Sequence, residues 1–555
     1  MRKWLLNCLM LGAVVLLLNV GTATAQIDFL SKFYRDQRHK SVRLPPISVE
    51  GMLKEGKVYL TEREAIEMAL RYNLGINVQR IGYLYDNWTI RGLEGVYDPQ
   101  GIFGLNWRRQ TTPTASVLSG GEKLTDVATN LSFGYQQLWS TGTTLNVTFT
   151  GARDRSTNTF SSLIPAINTG FEVMVTQDLM QGFGRILPDY QIEISRNNLE
   201  ISLQEFRGLV AATILQVQTQ YWELAYAIED IEVKKKSLEA ANTLLEQNRA
   251  KLQVGTGARL DVTQSEAQVA LSREQLIASQ YNYRLAQDQF IGLITDYRDP
   301  RRFPGEVVPA EGIVSPPPVG ESFDQLEAAA FRQRPELQQA DLQIRNAQVT
   351  LDQSRNQLKP NLNLQLGYQQ FGLGGTQIIR DYSQGFINPP IVDIIPGGLP
   401  KSLSELTSGK YYGYVVQANL QFPIFNTEAR ARSAQAQLSL NQTKFSKDQL
   451  QQSVSLQIRQ ALTQIDMNRA SLEAAIPGVR AAQEALEGEQ AKFQAGLATT
   501  RNIIDAQRDL LQAEETRLRA QINLIQSYSA LDQSVGRSLE RNNIRLQEAV
   551  DTNVQ

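Results

Sequence analysis

The sequence predicts an α+β membrane protein with two internal repeats, each joining barrel-type strands to a long antiparallel helical coiled coil. Three observations predict it. An apolar stripe runs Val217, Leu224, Ile231, Leu238, Leu245, Leu252, and a second runs Ile458, Ile465, Leu472, Val479, Leu486, Phe493; every step is seven residues and the displacement is 241. A strict seven-residue repeat specifies left-handed supercoiled helices. Apolar and polar residues alternate in segments flanking both stripes, the period of a strand that is wet on one face. Past residue 20 no apolar run approaches the ~18 residues a spanning helix needs, so a membrane crossing here is a barrel.

The elements follow in order. Residues 1–25 read as a signal peptide: Arg2 and Lys3, an apolar core from Trp4 to Val20, and Ala23-Thr24-Ala25 before Gln26. An uncleaved anchor is the alternative, and Asn7 and Asn19 interrupt it. Cys8, the sole cysteine, lies inside this segment without the small residues a lipid-attachment site needs, so the mature chain is expected to hold neither disulfide nor thiol ligand. Residues 26–58 form a charged extension that includes His39.

The first repeat spans 59–298. Thr61 and Glu64 make a capping box for a helix expected to run to about residue 95, where Asp98-Pro99 stops it. Phe103, Leu105 and Trp107 then alternate with polar residues, and Leu131 to Phe149 read as a hairpin turning at Ser140-Thr141-Gly142. Phe171, Val173 and Val175 end the strand region. A helix over 188–254 would be a rod of about 100 Å, broken at Gly255-Thr256-Gly257 and returning over 259–295. Residues 299–320, with Pro300, Pro304, Pro309 and Pro316 to Pro318, read as a linker. The second repeat, 321–540, holds strands from Leu362 to Tyr368 and from Tyr412 to Phe422, a helix over 427–494, a break at Gly496, and a return to about 535; 541–555 is a tail. Pro477 conflicts with the long second helix, where it should kink the rod. On alternation alone, strands of a soluble sandwich fit equally well; the long duplicated helices favour the barrel.

No catalytic, metal-binding or cofactor motif emerges. Gly182-Phe183-Gly184 and Gly372-Leu373-Gly374-Gly375 lack the strand-to-helix context of a phosphate site and read as turns or surface loop. The formal charge of −2 leaves no basic footprint, so nucleic acid is not an expected partner.

The ordered pieces resemble the TolC-type outer-membrane efflux proteins. The resemblance covers about residues 59–540 and rests on the corners Lys359-Pro360-Asn361-Leu362-Asn363, Gln177 to Gly184 and Leu420 to Phe425. It rests most on the helix reversals Leu252-Gln253-Val254-Gly255 and Phe493-Gln494-Ala495-Gly496-Leu497, the latter followed by Ile503-Ile504-Asp505-Ala506-Gln507. It implies a homotrimer in which each chain gives four strands to one transmembrane β-barrel, continued by a long antiparallel α-helical coiled-coil periplasmic tunnel. The implied role is a passive outer-membrane conduit of a tripartite efflux or type I secretion system. Its partners would be a periplasmic adaptor, an inner-membrane pump of RND, ABC or MFS type, and outer-membrane lipid. A periplasmic coiled-coil adaptor is the alternative reading, and an exported enzyme on a coiled-coil stalk a third. The hairpin near 129–151 and the Pro-rich loop at 388–400 depart from the simplest pattern, and the hairpin could join the barrel or form an external lid.

The resemblance also assigns sites. Val254, Gly255 and Thr256, with Ala495, Gly496 and Leu497, match the tips that meet the adaptor, although Thr256 replaces a more frequent leucine. Asp261 and Asp505 match acidic positions near the periplasmic mouth, where three-fold symmetry would make carboxylate rings that favour cations. Asn502 stands where a second acidic residue is expected, and Phe493 replaces a tyrosine of the closed-state lock. A weaker ring and a lock with fewer hydrogen bonds are therefore expected.

Overall fold

The computed structural model describes residues 53–114, 122–158, 160–297, 303–383, 385 and 389–544. The expected signal peptide, His39, most of the extension and all but the start of the tail lie outside the described residues. In chain order the strands are β1 (Leu53–Lys54), β2 (Lys57–Leu60), β3 (Gln100–Pro113), β4 (Lys123–Leu138), β5 (Thr143–Ser156), β6 (Leu163–Asp178), β7 (Glu306–Pro309), β8 (Asn361–Arg380), β9 (Ile391–Ile395) and β10 (Tyr412–Gln421). The helices are α1 (Glu62–Tyr72), α2 (Leu74–Glu94), α3 (Leu187–Gln253), α4 (Arg259–Ile294), α5 (Phe323–Gln333), α6 (Pro335–Asn356), α7 (Leu399–Ser408), α8 (Thr427–Gln494), α9 (Thr500–Val535) and α10 (Ser538–Arg541).

The long rods end within a residue or so of the positions the heptads predict. Each is lined by its stripe: Val217 and Leu224 in the first, Ile458 and Ile465 in the second, are all but sealed from solvent. α3 packs along α2 and then α4, α8 along α6 and then α9, and α3 also meets α6 and α9, so each chain carries four helices abreast. Among the described residues no helix is long and apolar enough to cross a membrane.

The main sheet is antiparallel in the order β10-β8-β6-β5-β4-β3, with β9 paired to the far end of β8. Its registers put Tyr135, Val147, Val173, Tyr368 and Tyr414 on one row, hence one face. The adjacent row, Gly134, Thr148, Glu172, Gln369 and Gly413, faces the other way. An apolar face and a polar face thus run across six long strands.

Several expectations are corrected. The first helix breaks at Asn73, whose side chain accepts the Gly75 amide at 2.9 Å and restarts the helix as α2. The 129–151 hairpin is longer, β4 with β5, and lies inside the sheet between β3 and β6, so each chain carries six long strands where the resemblance implies four. The Pro-rich linker contains β7, which pairs in parallel with β2 across the 58/59 boundary. Tyr221 fixes it there: buried, it donates to the Leu60 carbonyl at 3.1 Å and accepts the Glu311 amide at 3.3 Å.

The 388–400 loop contains β9 and the start of α7. Gly372 to Gly375 is no turn but part of β8, and it seats α7: a Cβ on Gly372 would lie 2.0 Å from the Ser402 carbonyl oxygen. α8 continues through Pro477 as a single helix, Thr427–Gln494. Glu473 and Pro477 are exposed, so water can satisfy the Glu473 carbonyl that loses its helical donor.

Candidate functional site

The reversals at residues 254–258 and 495–499 close alike because each puts glycine just past a helix end. Gly255 and Gly496 sit at φ +80° and +76°, where a side chain is strained. Thr256 N–H reaches back to the Lys251 carbonyl at 2.9 Å and Gly255 N–H to that of Leu252 at 3.1 Å. Leu497 and Gly496 repeat the pair on Lys492 and Phe493, at 2.8 and 3.2 Å, so both ends are Schellman caps. A Cβ on either glycine would meet open space, whereas one on Gly257 would press within 3.0 Å of the Leu252 amide nitrogen. The tips leave Val254 and Leu497 74% and 80% exposed.

The acidic candidates sit at the start of the returning helices. Asp261 accepts the Ala258 amide at 3.4 Å, and Asn502, 241 residues on, holds the equivalent place beneath the Thr499 cap. Asp505 is exposed one turn further along α9, with Arg501 at 3.6 Å and Arg508 at 3.8 Å. Such pairs contribute little to stability, yet two guanidinium groups offset one carboxylate. Phe493 makes no polar contact with these groups among the hydrogen bonds and ion pairs of the described residues. It is buried against Leu244, Leu486, Ile503 and Ile504, with the Lys251 ammonium 3.4 Å from its ring centroid.

The family model for outer membrane efflux protein matches residues 144–294 and 328–537, both of the long hairpins and most of the sheet. The chain belongs to the outer membrane efflux protein family. It is an outer-membrane efflux channel, a conduit and not an enzyme. It is 24% identical to the outer membrane efflux protein BepC of Brucella suis over 66% of this chain and 71% of that one. To the outer membrane protein TolC of Vibrio cholerae it is 23% identical, over 68% and 84%. The solved outer-membrane channel OprN shares the fold at 14% identity, with a TM-score of 0.61 over 90% of this chain and 98% of that one.

In this efflux protein the two hairpins are fastened to each other near the tips by residues the sequence analysis did not single out. Asn248 of α3, 2% exposed, donates to Ser265 of α4 at 2.8 Å and to Thr500 of α9 at 3.2 Å. It stands three residues after Leu245 and four before Leu252, an interior heptad position, and a polar residue there is the signal that fixes register. Further up, Nη1 of Arg519 on α9 donates to both carboxylate oxygens of Glu223 on α3 at 2.9 and 3.0 Å, and Lys234 pairs with Glu515. Burial lowers the Lys234 pKa from its ordinary value. These cross-hairpin partners have no sequence signature. Among the described residues no group of three or more His, Cys, Asp or Glu could hold a metal ion.

Proposed function

We propose that three copies of this channel assemble into one outer-membrane conduit of a tripartite efflux or type I secretion system. A periplasmic adaptor would meet the hairpin tips, and an inner-membrane pump of RND, ABC or MFS class would supply the energy. The carrying observation is the apolar face shared by six strands of a sheet whose edge strands β3 and β10 have no outer partner among the described residues. An open edge of that kind is stable in lipid only when closed by further copies. The exposed Val254 and Leu497, held by glycine caps whose amides turn back onto the helix ends, suit an apolar contact with an adaptor's own helices.

The gate reading is sharpened by charge. Around a three-fold mouth Asp261, Asn502 and Asp505 would form polar rings, while Phe493 closes each hairpin pair by apolar packing instead of a hydroxyl. Arg501 and Arg508 flank Asp505, so neutralising it leaves two cations per copy on that turn. In planar-bilayer recordings Asp505→Asn is expected to shift preference toward anions and Asp261→Asn to weaken block by multivalent cations. Unchanged selectivity and block in both variants would overturn the gate. Leu497→Glu and Gly496→Glu are expected to abolish export at normal outer-membrane level and trimer mass; export at the normal rate would overturn docking at the tips. A native mass other than three chains would overturn the assembly.

A further inference from the structure

The β4–β5 hairpin, the main departure from the family pattern, decides how wide the barrel is. β4 pairs with β3 over fourteen positions from Gln100↔Gln136 to Pro113↔Lys123, and β5 pairs with β6 from Thr143↔Gln177 to Asp154↔Ala166. Both hairpin strands therefore have partners on both sides, which a lid or flap would lack. Their side chains also keep the alternation of the sheet. Leu131 and Val147 lie on the apolar face with Val173 and Tyr368, while Asn130 and Thr148 lie on the polar face with Glu172 and Gln369. A hairpin outside the wall would have no reason to keep its apolar side chains on its neighbours' apolar face along this stretch.

Generic spacings give the girth that such a wall would have. Strands about 4.8 Å apart and tilted by about 40° take up roughly 6 Å of circumference each. Six per chain then cover about 38 Å, and three chains about 110 Å. Four helices abreast at 8–10 Å spacing take roughly 30–40 Å per chain, so a three-chain tunnel is about 100–120 Å around.

Resting on the trimeric outer-membrane reading, we infer that β4 and β5 are barrel wall: each chain supplies six strands, and three copies close a barrel of eighteen, β10 of one copy pairing antiparallel with β3 of the next. The directions agree, because β3 runs away from the helices and β10 runs back toward them. The barrel then has about the girth of its tunnel, and its cross-section is roughly twice that of a twelve-strand barrel.

The test is sidedness of the hairpin in outer membranes. In a Cys8→Ser background, single cysteines replace Val147, Thr148 and, as a control on β8, Leu366, and each is labelled with an environment-sensitive fluorophore. Leu131→Cys and Asn130→Cys repeat the measurement on β4 in case one variant fails to assemble. Labels at 147 and 131 are expected to be quenched by nitroxide lipids as strongly as the label at 366, and those at 148 and 130 only by aqueous iodide. Iodide quenching on both hairpin faces, with 366 still in lipid, would overturn the six-strand wall and leave the outer-membrane trimer standing. Iodide quenching at 366 as well would overturn the membrane reading and this inference with it. Chemical cross-linking ending at three copies is expected; a ladder ending at two or four would overturn the strand total.

Discussion

A half-buried carboxylate, Glu62, shows how much a single side chain contributes to holding the start of the chain on the rods. It accepts from Gln218 at 2.5 Å and from the Trp222 indole at 3.1 Å, joining the first turn of α1 to the middle of α3. Burial raises its pKa above the ordinary 4.5, more than the two hydrogen bonds lower it. A raised folded pKa means the native state holds the proton more tightly than the unfolded chain. The stability this adds is full below about pH 4.5 and is lost as pH rises through the folded value. Melting curves of Glu62→Gln against the parent should therefore show the variant gaining on the parent from acid to neutral pH. A difference that stays flat with pH would remove Glu62 from this role. Glu64, by contrast, does what its spacing foretells, its carboxylate accepting the Thr61 amide at 2.8 Å.

Among elements, α8 poses the clearest conflict between local preference and tertiary demand. Its 68 residues continue through Pro477, although proline in a helix interior is about 3 kcal/mol less favourable than alanine. The stripe wins because Ile465, Leu472 and Leu486 on either side are buried, while the face that loses its hydrogen bond is wet. Pro477→Ala should stabilise this stretch by about 2–3 kcal/mol. Hydrogen exchange would report it as slower opening of the amides around residues 473–481, and unchanged protection would mean that the helix is already relaxed at the proline. α7 carries the opposite lesson. It is a short helix following a Pro-rich stretch, held by Thr169 and Ser402 hydroxyls 2.8 Å apart and by a glycine-cleared patch of β8. Those glycines look like a loop in sequence because what they clear space for comes from elsewhere in the chain.

For the whole molecule, the two-faced sheet makes the membrane position testable without reference to strand number. Leu366 and Gln365 are neighbours on β8 and point to opposite faces. An arginine on the lipid face near mid-membrane costs about 2–4 kcal/mol, and one facing water in the lumen far less. Leu366→Arg should lower the amount of folded channel in the outer membrane, whereas Gln365→Arg should leave it unchanged and alter conductance only. Equal levels of the two variants would argue that this face does not meet lipid. Tyr368 and Tyr414, with ring centroids 5.4 Å apart, are cross-strand neighbours on the same apolar face as Leu366.

By itself the sequence determined the rods, the reversals, the alternation and the duplication. Each is written in spacing along the chain: seven between Leu245 and Leu252, two between Leu364 and Leu366, and a glycine just past each helix end at Gly255 and Gly496. Tertiary structure alone decided which strands stand side by side, that β7 crosses to pair with β2, and that a glycine run lies under α7. The same holds near the tips, where Asn248 meets Thr500 and Arg519 meets Glu223 across hundreds of residues. Periodicity is a local property because backbone geometry repeats over a few residues. The partner of a polar group is not, because any donor of the right reach can satisfy it and only the packed chain selects one.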